Sequence, residues 1–541
     1  MLVNYSDISG FPNLFLDYIY EFENVQKFYK KSFLDNNSYL ETFKQLKSFV
    51  RPHRNDVVNI ITDQYLGYLP SKLTETNINA LNDENTFAVV TGQQVSLFGG
   101  PLYTFYKIIT TIKLSNLLKE RFSDYNFVPV FWLEADDHDF KEIQSINIID
   151  QYNKVKTIIY DDGIEDEINR GSVGKLKFNS NIDHTIEDLE KSLRDNEFKD
   201  EIMNLINSCY YEGVTIKAAF KKLIFHFFDE YGLIIFNPQD KRVKDLLLPI
   251  FEKEIDNYAI HSNENVLRSA ELEENYHAQV KVNPINLFYS DGSGRHLVEP
   301  VEGEFRFRGK RKRISKDEIK KLLYYDPAAF SPNVLLRPIC QDYLFPTAVY
   351  VGGPAEVSYF AQVMPNYSFF DLVPPIVFPR ASATILEKHI ATSIKKYDLS
   401  FNEYFFNEKE LINNILNKIS EFDLEELFAN SKENINEELL KLRESLIAID
   451  QALSDASEKS LQKINQTLEI LKTKSEQFQA RKHEDVVNRV KKVRSFIYPN
   501  NNLQERELNF IYFANKYGLD IVKWFFSELI INKPDHQVIE L

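Results

Sequence analysis

The sequence predicts an α/β fold: a doubly wound parallel-sheet core with inserted connecting α+β segments, followed by a long α-helical coiled coil. Three observations predict it. A strand–loop–helix–strand pattern opens at Phe87, a matching strand and loop resume at Leu344, and residues 384–495 contain neither proline nor glycine while carrying three- and four-residue apolar spacing.

Composition bounds what the fold can do. At 541 residues the chain has room for two to four domains, and 43% hydrophobic content with 42 Phe and 29 Tyr supplies their cores. Sixty-four Lys+Arg against 80 Asp+Glu leave a net charge of −16. That balance opposes nucleic-acid wrapping and attachment to an anionic membrane, both of which need a basic footprint. Two cysteines, Cys209 and Cys340, are too few for a disulfide framework or a thiolate cluster. No apolar run reaches the roughly 18 residues of a membrane span, and the start lacks a basic segment followed by an apolar one. A cytoplasmic protein with small-molecule substrates is expected.

The elements follow in order. Residues 1–150 are read as N-terminal helices and the first half of the core. Phe87-Ala-Val-Val-Thr91 is a buried strand, Gly92 to Pro101 a loop, Leu102 to Phe122 a helix with Phe105, Ile108, Ile109 and Ile112 on one face. Val128-Pro-Val-Phe-Trp-Leu133 is the next strand, and the acidic run Glu134-Ala-Asp-Asp-His-Asp139 follows its carboxyl end. Residues 151–330 read as an inserted connecting region, with Leu233-Ile-Ile-Phe236 as one of its strands and a turn at Asp291-Gly-Ser-Gly294. The second half of the core, 331–383, carries the strand Leu344–Val351 and a last strand ending at Pro379, with Arg380 just beyond. A coiled coil over 384–498 has one seam through Leu439, Leu442, Leu446, Ile449, Leu453 and Ala456. After a phase shift, a second runs through Leu461, Ile464, Leu468, Leu471, Ser475 and Phe478. A helical tail occupies 499–541.

Glycine is scarce, 17 in all, yet Gly99-Gly100 and Gly352-Gly353 are adjacent pairs, each followed by proline. Such a loop allows positive φ and close backbone approach, and proline presets the helix that follows. Both loops are expected to converge beyond the carboxyl ends of one parallel sheet, where doubly wound folds bind ligands.

Thr91-Gly-Gln-Gln94, Phe98-Gly-Gly-Pro-Leu-Tyr103, Pro129-Val-Phe-Trp132 and Asp137-His-Asp139 resemble the bacillithiol synthase family. So do Leu336-Arg-Pro338, Gln341-Asp342 and Tyr350-Val-Gly-Gly-Pro-Ala-Glu356. The resemblance runs from about residue 85 to the end. It implies a Rossmann-like core, a coiled-coil homodimer, and the joining of cysteine to glucosaminyl malate, with ATP or another nucleotide activating the carboxylate. Neither the HIGH nor the KMSKS signature of class I synthetases is present as such.

On that reading the residues divide by chemistry. Thr91, Gly92, Gln93, Gln94, Gly99, Gly100 and Tyr103 are candidates for nucleotide or substrate contacts, because a loop entering a helix offers backbone N–H groups to an anion. Glu134, Asp136, Asp137, His138 and Asp139, with Trp132 before them, form a cluster that needs something positive among its carboxylates: an ammonium group, a metal or an arginine. Asp137, His138 and Asp139 are the candidate catalytic residues, an amine being bound and deprotonated there; the competing reading makes Asp137 or Asp139 a helix cap. No metal site is identifiable. Arg337, Gln341, Asp342, Gly352, Gly353, Glu356 and Arg380 surround the second loop. Either arginine could grip a malate carboxylate bidentately, or pair internally with Asp342 or Glu356. Cys340 is expected to be a buried structural thiol. Another amino-acid ligase, a nucleotidyltransferase, or a nucleotide-binding coiled-coil scaffold are the alternatives.

Overall fold

The apolar run at Phe87 is continuous because both of its faces are covered. In the computed structural model, which describes residues 1–165, 167–396, 400–420 and 423–541, it lies in the middle of a five-stranded parallel sheet. The strands are β1 (Thr86–Gln94), β2 (Asn126–Glu134), β3 (Ile234–Phe236), β4 (Thr347–Gly352) and β5 (Ile376–Pro379). Their spatial order is β5-β4-β1-β2-β3, and every neighbouring pair is parallel. This is the 3-2-1-4-5 order of a doubly wound sheet, with its switch point between β1 and β4.

Helix α1 (Leu102–Arg121) crosses from β1 to β2 and is buried along most of its length. Helix α2 (Ile216–Phe228) precedes β3, α3 (Arg337–Leu344) precedes β4, and α4 (Pro354–Phe369) leads away from β4. The expected strand from Leu344 is shorter than read, because Pro338 at the start of α3 favours one more helical turn before Pro346 ends it. Leu233–Phe236 also differs from the reading: Ile234–Phe236 is an edge strand of the core sheet, paired with Val130–Trp132, and not part of the insertion. Five helices between Asn13 and Ala80 bring aromatic rings onto the sheet, Phe43 stacking on Phe87 at 5.4 Å. The inserted region contributes a two-stranded ribbon, Ser145–Ile149 with Val155–Ile159, and an antiparallel five-stranded sheet built on the hairpin Leu287–Asp291 and Gly294–Val301.

The chain divides into two units. The first holds residues 1–6, 10–384 and 504–539; the second holds 7–9, 385–503 and 540–541. The segment 504–539 therefore belongs to the unit that holds the sheet.

In the second unit, the helices Leu424–Ile447 and Leu453–Lys482 form an antiparallel hairpin, joined across Lys432–Glu469 (3.2 Å), Asn436–Asn465 (3.2 Å) and Arg443–Glu458 (3.7 Å). The single seam read through Leu446, Ile449 and Leu453 is thus interrupted by a turn, in which Asp450 accepts from the Ala452 amide. A short polar side chain makes this turn without glycine or proline. No helix among the described residues is long and apolar enough to cross a membrane.

Candidate active site

The switch point between β1 and β4 opens into a cavity of about 410 Å³. Gly92, Gln93 and Gln94 reach it from the end of β1, Glu134 from the end of β2, and Gly353 and Glu356 from the start of α4. Tyr103 and Lys107 face it from α1, with Arg337, Arg380, Tyr350 and Tyr359 on the β4 side. Of the residues singled out in the sequence, nine meet here: Gly92, Gln93, Gln94, Tyr103, Glu134, Arg337, Gly353, Glu356 and Arg380.

The charges are arranged in partnered groups. Lys107 is buried one turn beyond Tyr103; it donates to Gly92 O and Gln93 Oε1, each at 2.9 Å, and ion-pairs with Glu356. Glu356 is the third residue of α4 and reaches back to accept from the Gly353 amide at 2.8 Å, while Tyr350 donates to it at 2.6 Å. Burial works to raise the Glu356 carboxyl, but Lys107 and these donors hold it below the usual range.

Arg337 opens α3 with its guanidinium caged by Tyr359 Oη (2.7 Å), Tyr350 Oη (3.2 Å) and Gln341 Oε1 (3.2 Å). Gln341 and Asp342 sit behind it and do not line the cavity. Asp342 accepts from Gln341 Nε2 at 2.8 Å and from the Tyr367 hydroxyl at 2.5 Å, and burial pushes its carboxyl up to about 6. Neither Asp342 nor Glu356 hydrogen-bonds Arg337, so of the two readings of this arginine the internal pairing with those carboxylates does not form. Arg380 instead pairs with Glu505 at 2.7 Å, and its Nε is buried with no hydrogen-bond partner, against Gly353.

Glu134 is the acid of this cavity. Its Oε2 accepts no hydrogen bond and lies 3.7 Å from Arg337 Nε. Burial pushes its carboxyl up to about 7, with Asp136 and Asp137 adding to the rise and Arg337 and Arg295 opposing it.

The rest of the acidic run turns away from the cavity. Asp136 is buried against Lys244 Nζ (2.5 Å) and Gln239 Nε2 (3.1 Å). Asp137 accepts from Gln94 Nε2 (2.5 Å) and the His138 amide (2.6 Å), with the His138 ring Nδ1 at 3.2 Å; burial opposes, but the His138 side chain, nearby Arg295 and the His138 amide hold it well below the carboxylate range. His138 receives Arg295 Nη1 at Nδ1 (3.1 Å) and leaves 44% of its side chain exposed. Asp139 caps the helix Phe140–Ile143 through the Glu142 amide. Arg295 and Lys244 are the positive groups the cluster needs, and neither could be found from local spacing. Asp137 touches the cavity only through Gln94; His138 and Asp139 do not line it.

The first Gly-Gly-Pro loop also serves the fold. Gly99 and Gly100 have φ of +84° and +71°, and a Cβ at Gly99 would come within 3.1 Å of Leu223 and 3.2 Å of Phe105. The loop carbonyls of Phe98 and Gly100 accept from Asn509 Nδ2 at 2.9 and 2.6 Å. Gly92, Gln93 and Gln94 bring the start of the first loop to the cavity, as Gly353 brings the second, but the Gly99-Gly100 pair itself does not line it. Thr91 Oγ1 ties β1 to Val351 O of β4 at 2.8 Å, and Trp132 packs on Phe236. Gly352 accepts from the Arg380 amide at 2.9 Å. Cys340 is fully buried, and burial raises its thiol.

The sequence reading missed Lys107, Tyr359, Glu142 and Arg506. Lys107 had a signal: it lies four residues after Tyr103, hence on the same helical face, inside an otherwise apolar run. Arg506 had none, standing 126 residues beyond Arg380 with the helical hairpin between.

Two family models match the chain: "Bacillithiol biosynthesis BshC, N-terminal Rossmann-like domain" over residues 1–381, and "Bacillithiol biosynthesis BshC, C-terminal coiled-coil domain" over 383–541. Among curated proteins, one from Salinibacter ruber is 34% identical, covering 98% of this chain and 97% of its own. One from Chloroherpeton thalassium is 32% identical, covering 97% and 95%. A third, from Chlorobaculum tepidum, is 31% identical with 96% of each covered. All three carry the name "Putative cysteine ligase BshC".

Proposed function

The chain belongs to the BshC family of bacillithiol biosynthesis, and we propose that it is the cytoplasmic ligase that joins L-cysteine to glucosaminyl malate in the last step of that synthesis. The observation that carries the reading is the cavity's division of labour: a carboxyl with a pKa near 7 faces a set of arginine, lysine and tyrosine side chains at the switch point of the sheet.

The reaction makes an amide from a carboxylate and an amine. ATP or another nucleotide supplies the activation of the cysteine carboxylate, and the cationic side of the cavity fits its phosphates. Arg337 and Lys107 are held rigidly, by tyrosines and by Glu356 respectively, and so present fixed positive charge where negative charge is bound or develops. Glu134, ionised above about pH 7, pairs with the ammonium of the glucosamine ring and takes its proton at Oε2, leaving a neutral amine to attack. Tyr103 and Tyr359 narrow the cavity around the reacting groups.

The two-helix hairpin serves dimerisation in this reading. None of its residues is buried; Leu442, Leu471 and Phe478 stay 53%, 53% and 69% exposed, and a second copy of the hairpin would cover them.

Incubation of the purified chain with cysteine, glucosaminyl malate and ATP tests the proposal by mass spectrometry. Formation of bacillithiol with ATP turnover supports it. Turnover with a different amine, or ATP binding without any product, favours the other ligase or the scaffold reading.

A further inference from the structure

One cation of the cavity is left without a partner. Lys107 is paired with Glu356, Arg337 is caged by Tyr350, Tyr359 and Gln341, and Arg380 is paired with Glu505. Arg506 lines the same cavity from its exposed mouth. Among the described residues its guanidinium has no ion pair and no side-chain hydrogen bond; its neighbour is the Tyr103 ring, 5.9 Å from centroid to Cζ.

The backbone that carries it is fixed on both sides. Glu505 accepts from Arg380 Nη2 (2.7 Å), Ser382 Oγ (2.8 Å) and the Ala383 amide (2.8 Å), and is wholly buried. Leu508 O accepts from the Leu102 amide at 2.9 Å, and Asn509 holds the first glycine loop. With the backbone already fixed, only the side chain remains to be ordered when a ligand arrives. The charge balance points the same way. Of the four cations that line the cavity, Lys107 has its counter-charge in Glu356, Arg380 in Glu505 and Arg337 in Glu134 at 3.7 Å, which leaves Arg506 as the one whose charge no carboxylate among the described residues meets. Independently, the buried Arg380 Nε has an N–H with no acceptor, beside Gly353 at the cavity wall.

We propose that Arg506, returned to the core by the segment after the coiled coil, is the residue that recognises an anionic group of a substrate, with the unpartnered Arg380 Nε as a second donor. The inference rests on the cavity being the ligase site. The group is a carboxylate of the malate portion or a phosphate of the nucleotide, each of which offers a pair of anionic oxygens to the two parallel N–H bonds of a planar guanidinium.

Isothermal titration of the full-length chain with glucosaminyl malate, L-malate and ATP, each alone, tests this in the wild type, Arg506→Gln and Arg506→Lys. The expected result is a loss of about 10- to 100-fold in affinity for one class of ligand in Arg506→Gln. Arg506→Lys recovers part of the loss, since an ammonium lacks the fork. Melting temperatures stay equal, because the side chain is exposed and unpaired. Loss confined to the two malates identifies the carboxylate; loss confined to ATP identifies the phosphate. Equal affinities in wild type and Arg506→Gln, or no binding of any of the three by the wild type, overturn the inference. Wild-type turnover is read separately: ligand loss in the variant without cysteine ligation by the wild type would sink the ligase reading and leave the anion site standing.

Discussion

At the scale of single residues, Glu134 carries the chemistry proposed here and His138 does not. With a carboxyl near pH 7, a base must lose its proton before it can act, so kcat/KM rises with pH through about 7 and levels above it. Glu134→Gln is expected to lower turnover about 10²–10⁴-fold and to abolish that rise, with the fold unharmed because the amide has the same shape, and Arg337 keeps its hydrogen bonds to Tyr350, Tyr359 and Gln341. A pH–rate series on the two proteins checks it. His138→Ala removes a half-exposed ring that lies between Arg295 and Asp137 outside the cavity. Activity within about tenfold of wild type is expected there, and a loss as deep as that of Glu134→Gln would return the base role to the histidine. The sequence shows the acidic run plainly but not its orientation. Glu134 is the last residue of its strand and projects at the sheet edge, whereas Asp136 meets Lys244 from a helix more than a hundred residues away. Nothing local distinguishes them.

At the scale of elements, the segment after the coiled coil, read as a helical tail, holds short helices but ends in the strand His536–Glu540, and what it binds was not legible. Its Glu505 bonds Arg380, Ser382 and the Ala383 amide at once. Glu505→Gln leaves Arg380 buried without its counter-charge, and a loss of about 3–5 kcal/mol is expected by denaturant titration. His536 closes the same region, its Nδ1 and Nε2 at 2.7 and 2.9 Å from Ser382 and Thr384 hydroxyls. Burial lowers its pKa from 6.5 to about 4. Because the folded value lies below the unfolded one, its contribution is complete above about pH 6.5. It is lost as the pH falls from there toward 4, by up to about 3 kcal/mol. Melting temperature measured between pH 7 and 4 should fall over this window in the wild type and fall less in His536→Gln. The parallel strands were legible because burial on both faces turns them into unbroken apolar runs such as Phe87–Val90. The hairpin reversal was not, since Asp450 turns the chain without the usual glycine or proline.

At the scale of the molecule, a doubly wound core and a long helical excursion were both readable from pattern, and the cavity's position follows from strand order. What pattern could not supply is which distant residues the fold returns to that cavity, Arg506 above all. The proposed dimer is checked by light scattering at low micromolar concentration, where twice the 63.4 kDa chain mass is expected and Leu442→Asp with Leu471→Asp should give the monomer. The central claim, that this cavity joins cysteine to glucosaminyl malate with Glu134 as base, is tested most directly by thiol profiling of a strain lacking the gene and complemented in turn by wild type and Glu134→Gln. The account predicts that the deletion strain lacks bacillithiol and accumulates glucosaminyl malate, that wild type restores the thiol, and that a stably expressed Glu134→Gln does not. Bacillithiol persisting in the deletion strain, or full restoration by Glu134→Gln, would contradict it.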